Sequence, residues 1–121
     1  MRYVCLIYFD PKTTFDGSPE NEATLNEAGP YSQKLREAGQ MLSAEALVLP
    51  GEAVSVRVRN GQVSTTDGPF VETREVLGGF ALIEAPDMKE AVRIASANPM
   101  ARLGCVEVRP VVDFSKPRPR L

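Results

Sequence analysis

The chain is 121 residues long, 43% hydrophobic and 25% charged, with 14 basic residues against 16 acidic ones and a net charge of −2. That length and balance describe one soluble globular domain able to bury a core, and they exclude the clustered positive charge that a nucleic-acid backbone demands. There is no histidine. This excludes Ser-His-Asp and Cys-His catalysis, the imidazole-based Zn, Cu and Fe sites, and the commonest general base near neutral pH. No metal or other cofactor is expected, and any acid–base chemistry falls to Asp, Glu, Lys, Tyr or Cys.

The run Tyr3 to Phe9 is continuously apolar and rich in β-branched and aromatic types. It predicts a strand buried on both faces, closed by Asp10-Pro11. No run approaches the roughly 20 apolar residues of a membrane span, and the start lacks a signal-peptide pattern. A cytoplasmic protein with no membrane partner is therefore expected. Cys5 and Cys105 lie in strand-like runs and are expected as buried free thiols.

Ser18-Pro19-Glu20 reads as a helix start, with Ser as N-cap and Pro at the first position. Leu25, Ala28, Ser32, Leu35 and Ala38 follow at helical spacing, Gly29-Pro30 predicts a break, and Gly39 predicts the stop. Met41 to Leu49 predicts a second strand ending at Pro50-Gly51. In residues 53–59, Val54, Val56 and Val58 alternate with Ser55, Arg57 and Arg59, and Asn60-Gly61 is a strong hairpin signal. Gln62 to Thr65 is the return strand. Gly78-Gly79 enters another apolar strand, Phe80 to Ile83. Asp87 and Glu90 form a capping-box pattern before an apolar face of Met88, Ala91, Val92 and Ala95. Asn98-Pro99 ends that helix, and residues 105–112 form the last strand.

The order β-α-β, hairpin, β-α-β predicts an α+β, ferredoxin-like split βαβ sandwich with an inserted hairpin. Two helices cover one face of such a sheet, while residues 3–9 and 80–83 are apolar on both. A second copy of the same sheet is the simplest cover, so a homodimer is expected. Residues 1–114 are taken as the domain. Residues 115–121, with Lys116, Arg118 and Arg120 among prolines, are taken as an extended basic tail.

The ordered blocks Val56-Arg57-Val58-Arg59-Asn60-Gly61, Thr66-Asp67-Gly68-Pro69-Phe70, Glu72-Thr73, Glu75, Gly78-Gly79-Phe80 and Gly104-Cys105-Val106-Glu107-Val108-Arg109-Pro110 resemble the DGPF branch of the YCII-related family. The resemblance covers nearly the whole chain. It implies the dimeric α+β barrel, in which two ferredoxin-like sheets pack face to face. It carries no assigned reaction. Some YCII-type proteins act on chlorinated ring compounds, and muconolactone isomerases share the barrel; DGPF proteins are also commonly encoded beside alternative sigma factors. The His-Asp pair of smaller YCII-type proteins does not carry over: there is no His, and Asn98 stands before Pro99 where the Asp is expected.

Two constellations are candidates for chemistry. If Val106 and Val108 pack under the helices, Glu107 and Arg109 point to the other face of the sheet, and Arg57 and Glu45 join them. Glu45, Arg57, Glu107 and Arg109 would then bind an anion or carboxylate, or serve as salt bridges that fix dimer register. Asp67 is either a cap for its own Gly-Pro turn, with Phe70 anchoring the loop in the core, or a general base at a pocket mouth. The expected function is binding of a small, anionic molecule near the dimer interface, with catalysis left open. The alternative is a non-catalytic accessory, for example in a sigma-factor circuit.

Overall fold

A computed structural model describes residues 1–117. The expected tail therefore lies mostly outside the described residues, Arg118 and Arg120 included. The elements are β1 (Arg2–Phe9), α1 (Pro11–Thr14), α2 (Pro19–Asn26), α3 (Ala28–Glu37), β2 (Met41–Ala46), β3 (Val54–Arg59), β4 (Gln62–Asp67), β5 (Val76–Glu84), α4 (Met88–Ser96), α5 (Met100–Leu103) and β6 (Cys105–Pro110), with a 3-10 turn at Pro50–Glu52.

Four strands form one antiparallel sheet in the order β2-β5-β1-β6, and β3 and β4 pair only with each other. This is the split βαβ arrangement with the hairpin inserted between β2 and β5. Alternation along β1 sends Tyr3, Cys5 and Phe9 towards the helices, where all three are buried. Ala81 and Ile83 of β5 point the same way, and Leu35, Met41, Ala91, Ile94 and Ala95 complete the core. Tyr31 ties α3 to α4 by donating its hydroxyl to the Ile94 carbonyl at 2.6 Å.

The local signals have physical counterparts. Ser18 caps α2 by accepting from the Asn21 N–H at 3.3 Å. The expected break falls at Glu27, upstream of Pro30, because the proline ring excludes the carbonyl four residues back, that of Asn26. Gly39, at φ +71, closes α3 as a Schellman stop: its N–H donates to Arg36 and that of Gln40 to Leu35. Asn60 and Gly61, at φ 53 and 73, make the two-residue turn of the hairpin. Asp87 caps α4 through the Glu90 N–H, but the Glu90 carboxylate pairs forward with Arg93, so only half of the capping box forms.

Several expectations need correction. The second strand stops at Ala46, and residues 47–49 run on extended into the 3-10 turn. The buried face of α4 is Ala91, Ile94 and Ala95, while Met88 and Val92 are exposed. The short α1 lacked an apolar stripe to betray it; Asp10, expected only to end β1, caps it through the Lys12 N–H at 3.0 Å.

The two cysteines lie on opposite faces of the sheet. Cys5 pairs with Val108 towards the helices, whereas Cys105 pairs with Tyr8 and is exposed, contrary to the expectation of two buried thiols. Burial pushes the Cys5 thiol up to about 11 and the Tyr31 hydroxyl up to about 12, the latter with a smaller push from Cys5 itself. Both folded values lie above the unfolded ones, so the unfolded chain ionises first as pH rises. Their stabilisation is intact below pH 9 and is lost progressively to about pH 12. Melting temperature is expected to fall across that window, and to fall less steeply in Cys5→Ser, whose hydroxyl does not titrate there. Parallel curves for the two proteins would assign the fall to other groups.

Candidate functional site

The helix-facing positions of β2 and β5 turn unusually small just where α2 and α3 cross them. Ala44, Ala46, Gly78, Gly79 and Ala81 fall together and leave a cleft of about 390 Å³ between sheet and helices. Gly78 is the extra residue of a bulge, since Ile7 pairs with Gly79 and Tyr8 with Leu77. A Cβ on Gly78 would overlap the Phe9 ring, and one on Gly79 would come within 2.9 Å of the Glu45 carbonyl oxygen. Ile7, Phe9, Phe15, Leu25 and Met41 give the cleft apolar walls, and Phe9 and Phe15 meet edge to face with centroids 5.3 Å apart.

Polar groups enter from the helices. Ser32 and Arg36, one turn apart on α3, line the cleft, and Arg36 has no ion-pair partner among the described residues. Asn98 is 8% exposed. Its Oδ1 accepts from the Met100 N–H at 2.9 Å, which fixes which end of the amide is oxygen. Its amide nitrogen has no acceptor among the described residues. It is not sealed from solvent either: among the described residues Thr14 Oγ1 is the one fully buried side-chain nitrogen or oxygen without a partner. Asn98 therefore brings two N–H donors to a mostly apolar cleft that Arg36 also lines.

A second, larger depression of about 900 Å³ lies between the β2–β3 connection and the segment 68–73, with Tyr8 and Leu77 at its base. Its walls are likewise mostly apolar and include Leu47, Val48, Phe70 and Val71.

The four residues expected to cluster are dispersed. Glu107 and Arg109 pair with each other on the face away from the helices, while Val106 and Val108 pack on the core. Burial is slight there, and the Glu107 contact holds the Arg109 guanidinium above its ordinary value. Glu45 shares that face but sits on the opposite edge strand: the row across the sheet runs Glu45, Phe80, Leu6, Glu107. Three strand spacings, roughly 14 Å, separate the two carboxylates. Arg57 is not on this sheet. The valine side of its hairpin does not pack under the helices, and its guanidinium lies 4.9 Å over the Phe70 ring.

The Asp-Gly-Pro-Phe turn is held differently from either reading of Asp67. Gly68, at φ +101, donates its N–H to the Ala53 carbonyl at 2.7 Å, and Ser55 Oγ donates to the Gly68 carbonyl at 2.9 Å. The Asp67 carboxylate is exposed, accepts no hydrogen bond among the described residues and lines neither depression. Phe70, expected in the core, is 74% exposed beneath Arg57. Asp67→Asn and Asp67→Ala are both expected to melt within about 0.5 kcal/mol of the parent, as for a surface position. Ser55→Ala should cost about 1 kcal/mol for the lost bond. A lower melting temperature for Asp67→Ala alone would return the cap to the aspartate.

Ser32, Arg36 and Asn98 were missed as site residues. The signal available was negative: small residues recur on two strands that pair, but no sequence rule reports that Ala44 and Ala46 lie beside Gly79 and Ala81.

The antiparallel four-stranded sheet with its helices on one face places the chain among ferredoxin-like α+β proteins of the dimeric α+β barrel type. The chain matches the YCII-related domain over residues 1–115 and belongs to that family. It is 35% identical over 119 residues to an uncharacterized protein of Rhizobium meliloti (strain 1021), covering 94% of each chain. Among solved structures it is similar to 5-chloro-2-hydroxyhydroquinone dehydrochlorinase (TftG) from Burkholderia phenoliruptrix AC1100, in complex with 2,5-dihydroxybenzoquinone. That match has a TM-score of 0.54 and 11% identity, and covers 93% of this chain and 94% of that one. Identity that low speaks for the fold alone. Among the described residues no helix is long and apolar enough to cross a membrane.

Proposed function

We propose that the protein is a homodimeric small-molecule-binding protein of the DGPF branch, with its ligand in the helix–sheet cleft. The branch rests on Asp67-Gly68-Pro69-Phe70 and the blocks around it. The dimer rests on the sheet face away from the helices, where Val4, Leu6, Tyr8, Phe80 and Leu82 stand without a covering layer in the single chain. Two free thiols fit a reducing, cytoplasmic setting.

The observation that carries the ligand site is the unpaired amide nitrogen of Asn98 at the end of an apolar cleft. The donor remains open to solvent, so a ligand acceptor would take the place of water on it, within a cleft whose walls are mostly apolar. With Arg36 also lining the cleft, the ligand is a ring-sized molecule with a carboxylate, phenolate or quinone oxygen. Glu45 is the one acidic residue lining the cleft, and strand alternation turns its side chain to the sheet face away from the helices while its backbone forms the wall, which favours binding over proton abstraction; Asp67 does not line the cleft and has no assigned part in it.

The test is titration of 2,5-dihydroxybenzoquinone and benzoate into the protein, followed by NMR. Binding that perturbs Ser32 and Asn98 is expected. Asn98→Asp keeps the acceptor for the Met100 N–H but replaces the donor with a negative charge. It should weaken binding at least about 30-fold, some 2 kcal/mol. Equal affinity in Asn98→Asp, or perturbations confined to the larger depression, would overturn the site.

A further inference from the structure

The hairpin β3–β4 is structurally alone. It joins no other strand, and a two-stranded hairpin is marginal by itself in water. One of its faces nevertheless carries Val54, Val56 and Val58 beside Val63, all four more than half exposed, with Thr65 opposite Val56 and Asp67 opposite Val54 at the base. The opposite face carries Ser55, Arg57 and Arg59, is pinned at its base by Ser55 to Gly68, and holds Arg57 against Phe70. The arm is thus braced on its polar side and left bare on its apolar side. Valine is a strong strand former, but so is threonine, which would have cost nothing on a solvated face. Four valines there report a surface that becomes dry.

We infer that the hairpin is a dimerisation arm whose valine face seats on a second copy of this chain. The inference rests on the dimer reading above and names the element that reading lacks. Four strands about 4.8 Å apart, with six residues rising about 3.3 Å each, present a flat face of only roughly 400 Å². A standard interface takes about 800 Å² from each partner. Two further strands of equal length add half as much again, from residues that are apolar and exposed.

The test is sedimentation of the intact chain over a dilution series, beside the double variant Val56→Thr, Val58→Thr. Threonine keeps the strand propensity and the shape but puts a hydroxyl into the contact. The intact chain should sediment as a dimer, and the variant should dissociate at least about tenfold more readily. A dimer of unchanged affinity in the variant overturns the arm and leaves the dimer standing; a monomeric intact chain overturns both. Amide exchange of the unmodified protein gives a second readout that does not depend on how the variant folds. Amides 54–67 should exchange more slowly as the protein is concentrated, and exchange independent of concentration overturns the arm.

Discussion

Gly104→Ala is expected to lose about 3 kcal/mol of stability or more, the upper range for forced overpacking. The glycine sits where α5 turns into β6, and its N–H donates to the Met100 carbonyl. A Cβ there would overlap the Tyr8 carbonyl oxygen and lie 3.0 Å from the Cα of Phe9. Both are backbone atoms of the central strand β1, so no side chain can swing aside. Relief requires β6 to move off β1, which breaks the pairing between Tyr8 and Cys105. A chemical denaturation curve with an unchanged midpoint would show that the strand can shift without cost. Gly29→Ala, with open space around the new methyl, is the natural control.

Ile83→Ala is expected to cost about 2–5 kcal/mol, the range for truncating a buried aliphatic residue in a core that relaxes only partly. Ile83 is 1% exposed and lies between Tyr3 of β1 and Met41 of β2, so its row spans the sheet beneath the helices. Ile83→Val should cost about 0.5–1.5 kcal/mol. A loss below about 1 kcal/mol for alanine would mean that the layer above the sheet closes onto the gap.

Much of the frame was legible because it rests on short-range chemistry. Ser18-Pro19, Gly39 and Asn60-Gly61 each dictate a local geometry whatever surrounds them, and each does so here. Strand alternation likewise set Val106 and Val108 on one face and Glu107 and Arg109 on the other, and the valines, conditionally placed under the helices, do pack on the core. What failed was lateral. Alternation gives the side a residue points to, not the edge of the sheet its strand occupies. Glu45 therefore shares a face with Glu107 yet stands across the sheet from it. Nor does alternation say which sheet a strand joins, and the valines of β3 follow a buried pattern on an arm that pairs with no other strand among the described residues. The cleft was illegible for a related reason. A cavity is defined by absent atoms, and Gly78-Gly79 explains itself as strand entry until Ala44 and Ala46 are seen beside it. Asn98 drew notice as a helix ending and as the residue standing where the Asp of the family's His-Asp pair is expected, but not as a donor in its own right.

The bulge at Gly78 and the alanines around it make the cleft a space formed by subtraction. Gly78 and Gly79 admit the Phe9 ring and the Glu45 backbone, and Ala44, Ala46 and Ala81 carry only a methyl each; none of the five is among the polar groups of the cleft. Selectivity and chemistry are therefore separable: a methyl added at Ala44 or Ala81 would shrink the space while Asn98 and Arg36 stayed in place. One methylene in an apolar pocket changes discrimination by about 10- to 200-fold. For a ligand in the proposed site, single substitutions at these positions would retune fit and leave the polar contacts intact.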